Sequence, residues 1–298
     1  MPRLPWLIRI ERCLHPKIKE GIAKSLVYYF TIKEARTYRQ ARYQGQVHAF
    51  ARFKQAFAVA HRGFSGKYPE NSLAAFQAAL EHGAEVIELD VQCSAEGHLV
   101  VCHDPDLQRL TGVPSFVRDL PLTRLQHSDI GLVTLETVFA TLPKDTLINI
   151  EIKHEATHFL QWHTEQAVVD CVRAWGRSQH VVISAFNPMI VNRIRKLAPE
   201  LSTAYLLTQT LTPLLIFLLA RVNARYVHVD QRYLNPRVVR ALQRKDIQVL
   251  GYTLNTAEAF QWAQKLGLTG VITDYPDRWR QFCTLKPAET LPRTQRLP

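Results

Sequence analysis

Apolar residues along this chain fall in two rhythms that take turns. Short aliphatic or β-branched runs occur at Phe57 to Ala60, Val86 to Val91, Leu99 to Cys102, Leu147 to Ile152, Val181 to Ser184, Thr203 to Leu207, Tyr226 to Val229, Val249 to Thr253 and Val271 to Thr273. Their length and residue types are those of buried strands. Between them Ser72 to His82, Glu155 to Trp175, Pro188 to Leu197, Pro213 to Ala220, Pro236 to Arg244 and Ala257 to Leu266 carry apolar residues at helical spacing. The alternation predicts an α/β fold with a parallel sheet, and eight such strands predict closure into a (β/α)8 TIM barrel. The run at Leu99 follows the turn Ser94-Ala95-Glu96-Gly97 closely enough to form a hairpin with the strand before it. Asp104 to Glu136, with Pro105, Pro114 and Pro121, is long and breaks the rhythm.

In such a barrel, chemistry gathers where strands end at their C-termini. The first run ends in His61, Arg62 and Gly63, and the third in His103. The second alternates Val86, Glu88 and Asp90 against Ile87, Leu89 and Val91, so both carboxylates leave from one face. Glu151 stands among the aliphatics of Leu147 to Ile152, with Lys153 two positions on and on the same face. A lone Glu-x-Asp on a strand is most simply a solvated face. Isolated acids in several apolar strands are not, because a buried carboxylate requires a partner. A divalent cation that prefers oxygen meets that need for Glu88, Asp90 and Glu151, and Mg2+ and Ca2+ both qualify. Two imidazoles beside such a site can divide the acid and base roles of a hydrolysis.

Composition adds a boundary. The formal charge is +11, and residues 1–54 hold 12 Lys and Arg against 3 Glu, a net +9, leaving +2 for the rest. Leu14, Ile18, Ile22 and Leu26 recur at every fourth position there, predicting a basic amphipathic helix. Such a helix either lies on an anionic membrane surface or packs on the barrel. Nucleic acid is not expected, since no recognisable binding fold accompanies the charge. The expected organisation is an extension over 1–54, a barrel over 55–284 and a polar tail over 285–298. Five scattered cysteines without a Cys-x-x-Cys pair, and early apolar residues interrupted by charges, point to the cytoplasm, peripheral to the inner membrane face if the helix binds there. Leu211 to Ala220 is apolar but far short of the about 20 residues that span a bilayer. It reads as a buried helix, or as an apolar lip for an acyl chain.

His61-Arg62-Gly63, Pro69-Glu70-Asn71-Ser72, Glu88-x-Asp90, His103-Asp104 and Glu151-Ile152-Lys153, in this order, resemble the glycerophosphodiester phosphodiesterase family. The resemblance runs from about Ala58 to Asp277, and it implies that Asp104 to Glu136 is the family's small insertion after the second strand, roofing one side of the site. Ser94-Ala95-Glu96-Gly97 replaces the family's Thr-x-Asp-Gly turn, and Tyr252-Thr253-Leu254-Asn255 stands where Trp-Thr-Val-Asn is common. The resemblance implies a barrel enzyme that hydrolyses glycerophosphodiesters to glycerol 3-phosphate and an alcohol. It also implies His61 and His103 as acid and base, a metal on Glu88, Asp90 and Glu151, and the phosphate on Arg62 and Lys153. Asn71, Tyr252 and Asn255 become candidate substrate contacts. Asp274, after the last strand, reads as a helix cap more readily than as a site residue. A lysophospholipase D acting at a membrane, a transesterification giving a cyclic phosphate, and a non-catalytic phosphate-binding barrel are the alternative readings.

Overall fold

The computed structural model describes residues 49–112, 114–127, 131–153, 163–210, 212 and 224–285. The expected basic helix, nearly all of the Leu211 to Ala220 run and the tail beyond 285 lie outside the described residues. Nine strands are present among the described residues: β1 (Phe57–Ala60), β2 (Val86–Cys93), β3 (Leu99–Val101), β4 (Leu147–Ile152), β5 (Val181–Ala185), β6 (Ser202–Leu207), β7 (Tyr226–Asp230), β8 (Gln248–Tyr252) and β9 (Gly270–Thr273). Eight of them are parallel and closed, in the order β1-β9-β8-β7-β6-β5-β4-β2 with β2 returning to β1. β3 stands outside this circle, antiparallel to β2 alone among these strands, with Val91 opposite Val101. The fold is a TIM barrel with one hairpin strand added.

Burial explains why the strand runs are nearly continuous in apolar residues. The barrel's outer face packs on its helices: Ile87, Leu89, Ile148, Ile150, Ile183, Val227 and Val249 join Phe76, Val138, Val172, Ile194, Val239 and Phe260 in one core. Inside the barrel a second core fills the N-terminal end, with Val59, Val86, Leu147, Val182, Ala204, Leu250 and Ile272 stacked above an aromatic floor. Phe50 supplies that floor from the segment before β1, 5.0 Å from the Phe57 ring and 4.7 Å from that of Tyr226. With this end filled, polar chemistry is confined to the other.

The insertion has a core of its own, Val100, Cys102, Leu107, Val117, Leu125 and Leu132. Its short helices Gln108–Thr111 and Leu122–Gln126 are followed by the longer Leu135–Thr141, which leads into β4. That last helix ends on a buried guanidinium. Arg177, 2% exposed, donates from Nη2 to Phe139 O and Leu142 O, both at 2.7 Å, and from Nη1 to Pro143 O at 3.0 Å and Lys144 O at 3.2 Å. Phe139 O and Leu142 O lie at the helix end, where carbonyls lack internal partners, and Pro143 O also accepts the Thr146 N–H at 3.0 Å. Arg177→Met should therefore destabilise the fold by roughly 3 kcal/mol, through lost charged hydrogen bonds and stranded carbonyls. Urea unfolding measures this, and a loss below about 1 kcal/mol would show that water replaces the guanidinium without penalty.

Candidate active site

Strand register assembles the acids. Asp90 lies opposite Glu151 across the β2–β4 pair, and Glu88 opposite Asn149, so all project into the barrel. Glu88, Asp90 and Glu151 are all buried, and one carboxylate oxygen from each lies within 4.8 Å of the others. Two cations stand among them. Lys153 Nζ is 2.9 Å from Asp90 Oδ1 and 2.5 Å from Glu151 Oε1. Arg62 places Nε 3.3 Å from Asp90 Oδ2, donates from Nη1 to Glu70 at 3.1 Å and offers its backbone N–H to Glu88 Oε2 at 2.8 Å. The left-handed backbone of Arg62, φ 54°, lets main chain and side chain address different acids. Gly63 follows at φ 80°, where a Cβ would come within 2.7 Å of the Ala75 backbone, so no larger residue fits that turn.

The electrostatics separate the three acids. Burial raises Asp90, but the charges of Lys153 and Arg62 outweigh it and hold the group below the ordinary aspartate value. Glu88 is pushed well above its ordinary value by burial, then by the charges of Asp90 and Glu151. Glu151 is pushed up to about 7 by burial and Asp90, against the pull of Lys153. Closely set carboxylates that resist joint ionisation form an all-oxygen donor set suited to a hard divalent cation. The residues present therefore fit a metal of the Mg2+ or Ca2+ kind.

The metal-free protein should show a pH-dependent stability. A carboxyl whose folded pKa is raised contributes stability that is complete below its unfolded pKa and is lost as pH rises through the folded one. For Glu151 that window runs from the ordinary 4.5 up to about 7, and Glu88 acts in the same direction. Metal-free protein should lose stability across this range, and a divalent cation should offset the loss increasingly as pH rises, because coordination needs ionised carboxylates. Thermal unfolding at several pH values, with chelator and with Mg2+ or Ca2+, checks this. A metal-induced rise in Tm that does not grow with pH would count against it.

Each of the two expected histidines is held through one ring nitrogen. His61 Nδ1 is 2.6 Å from Asp274 Oδ1, and Asp274 Oδ2 accepts from Asn255 Nδ2 at 2.7 Å. His103 Nδ1 is 2.7 Å from Asp104 Oδ1. Both rings thereby leave Nε2 for proton exchange. Burial, and after it the charge of Lys153, lowers the His103 pKa, which favours the neutral ring. His228, inside the barrel on β7, is fully buried and pushed down to about 3 by burial, so it stays uncharged.

The structure changes the reading of Asp274 and gives partners to other expected site residues. The Asp274 side chain takes His61, Ser65 and Asn255 as partners, rather than serving as the helix cap that the sequence favours. Barrel closure is the reason: Thr273 pairs with Ala60, which sets the next residues, Asp274 and His61, side by side. Asn71 spends its amide on Asp90, donating to Oδ2 at 2.9 Å and accepting from the backbone N–H at 3.3 Å. Asn255 is likewise engaged with Asp274, accepting its backbone N–H at 2.9 Å. Tyr252 keeps its ring at the mouth, edge-on to the exposed Phe186 at 6.4 Å between centroids. Phe186 escapes a sequence reading because nothing in its neighbourhood marks it as facing the mouth.

A closed barrel whose mouth carries a buried carboxylate triad that could hold a divalent cation, with two carboxylate-held histidines, has the layout of a barrel enzyme with its site at the strand C-termini. The chain belongs to the glycerophosphoryl diester phosphodiesterase family, whose model matches residues 61–278. It is accordingly a phosphoric diester hydrolase of that family. It is 32% identical to a glycerophosphodiester phosphodiesterase of Caldanaerobacter subterraneus subsp. tengcongensis, over 75% of this chain and 96% of that protein. It is 26% identical to a lysophospholipase D of Mus musculus, over 78% of this chain and 84% of that protein. The crystal structure of the glycerophosphodiester phosphodiesterase from Thermotoga maritima is similar, with 29% identity and a TM-score of 0.67, covering 77% of this chain and 99% of that one. Among the described residues no helix is long and apolar enough to cross a membrane.

Proposed function

We propose that this protein hydrolyses glycerophosphodiesters to glycerol 3-phosphate and an alcohol, with His61 and His103 as the acid–base pair. The observation that carries the reading is the matched hold on the two imidazoles, each fixed at Nδ1 by a carboxylate beside the acidic triad. Glu88, Asp90 and Glu151 would hold the cation, which supplies positive charge for the non-bridging phosphate oxygens. Arg62 and Lys153 bind the same anion. Neither Arg62 Nη2 nor the third Lys153 proton is used in the contacts these two cations make with Glu70, Asp90 and Glu151, so each keeps a donor for phosphate. One histidine takes the proton of the attacking water on Nε2, and the other delivers a proton from Nε2 to the leaving alcohol oxygen. Asn71 and Asn255 serve this chemistry by fixing Asp90 and Asp274, and Tyr252 lines the pocket.

A second reading, hydrolysis of lysophospholipids, is favoured by the similarity to the mouse lysophospholipase D. It would give residues 1–54 a purpose, holding a cytoplasmic enzyme at an anionic membrane surface. Purified protein incubated with glycerophosphocholine or lysophosphatidylcholine, with Mg2+, Ca2+ or chelator, separates the two. Metal-dependent glycerol 3-phosphate from the soluble diester supports the first reading. Lysophosphatidic acid with choline, and no turnover of the soluble diester, replaces it with the second. Turnover of neither substrate refutes both. Sedimentation with anionic vesicles tests the membrane contact separately.

A further inference from the structure

We infer that Arg109 is a positioning residue, which acts through Asp104 on His103 and through Glu70 on Arg62. It sits on the short helix Gln108–Thr111 of the insertion, away from the barrel strands. Its Nε donates to Asp104 Oδ2, and its Nη2 to Glu70 Oε1, both at 2.5 Å. Asp104 turns its other oxygen to His103 Nδ1, and Glu70 accepts from Arg62 Nη1. One guanidinium thus joins the acid that fixes a histidine to the acid that fixes a phosphate-facing cation. These two acids come from different turns, Pro69-Glu70-Asn71 after β1 and His103-Asp104 after β3.

The His61 side is built differently. There Asp274 is held by an amide and a hydroxyl, Asn255 and Ser65, both neutral. On the His103 side the holder is a cation, delivered by a segment that is not part of the barrel. The planar fork explains the choice of residue: two donors at fixed separation can meet two carboxylates at once, which an ammonium cannot do with the same directionality. The paired carboxylates raise the Arg109 pKa further, so the fork is charged under all working conditions. Its consequence is that the insertion does more than cover the site, because its seating sets the His103 ring.

The inference rests on the proposed role of His103, and its test separates the two. Arg109→Met, Arg109→Lys and Asp104→Asn are compared for kcat and KM, alone and combined, after confirming folding by circular dichroism. Loss of a residue that orients a catalytic group typically lowers activity roughly 10- to 100-fold, and that fall is expected in kcat for Arg109→Met, with a smaller rise in KM through Glu70 and Arg62. Arg109→Lys should recover part of it. In the Asp104→Asn background Arg109→Met should cost less than about threefold more in kcat, because its effect on the His103 ring runs through Asp104 and only the Glu70 contact is left to lose. Independently of turnover, the His103 Nδ1 proton of nitrogen-labelled protein should lose its hydrogen-bonded NMR signal in Arg109→Met. A full additional loss of kcat in the double variant, or an unchanged His103 signal, would overturn the inference. An inactive wild type that still shows the Arg109-dependent signal would refute the functional reading and leave the clamp standing.

Discussion

His61→Ala and His103→Ala should each lower kcat by roughly 100- to 10,000-fold, the range that a positioned acid or base contributes. KM should change little, since neither imidazole is a phosphate anchor. The large effect is expected because both rings are already fixed at one nitrogen, by Asp274 at 2.6 Å and by Asp104 at 2.7 Å, and need no reorganisation to exchange protons at the other. Acid and base act on one reaction coordinate, so the double variant should be little worse than either single variant. Measured turnover of a soluble diester decides it. If either variant retained more than about a third of wild-type kcat, that histidine would lose its assigned role.

Glu151→Gln should abolish metal-dependent turnover while leaving the protein folded. Asp90 is the less informative target, because Arg62, Lys153 and Asn71 all lean on it and its loss would leave buried cations unpaired. Glu151 is different: Gln keeps an oxygen for Lys153, which now bonds Glu151 Oε1, and removes one anionic ligand from the triad. A metal that stabilises phosphoryl charge contributes several kcal/mol, so a fall of roughly a thousandfold is expected, matched by adding chelator to the wild type. Calorimetric titration should show one divalent site in the wild type and weak or no binding in the variant. Full activity of the wild type after thorough chelation would remove the metal from the mechanism.

The barrel was legible because its strands are buried on both faces and its helices on one, which writes two distinct rhythms into the chain. The triad was legible for the opposite reason: acids at Glu88, Asp90 and Glu151 interrupt strands that otherwise hold aliphatics. The hidden part depends on closure. Asp274 meets His61 only because β9 completes the circle beside β1, and no local pattern states that the last strand is the first strand's neighbour. The contacts of the Asn71 and Asn255 amides with Asp90 and Asp274 were hidden in the same way, since each joins residues that are distant in the chain. Arg109 was hidden by its setting, a polar stretch among prolines in which one more arginine carries no periodic signal.

Among the described strands β3 pairs with none but β2, and the barrel closes without it. Yet that appended strand is tied to the one that bears Glu88 and Asp90, with the Cys102 N–H donating to Asp90 O at 3.0 Å and Gln92 Nε2 donating to Cys102 O at 3.0 Å. The second histidine is thus carried by an appended arm, packed into the outer core through Leu99 and Val101, whose near end is anchored to an acid that the barrel itself fixes. Lengthening, shortening or re-sequencing the loop beyond Arg109 would leave barrel closure untouched while reshaping one wall of the pocket. Variation in this loop can therefore explore new alcohol groups, but only where Arg109 stays seated on Asp104 and Glu70 so that the His103 ring keeps its place.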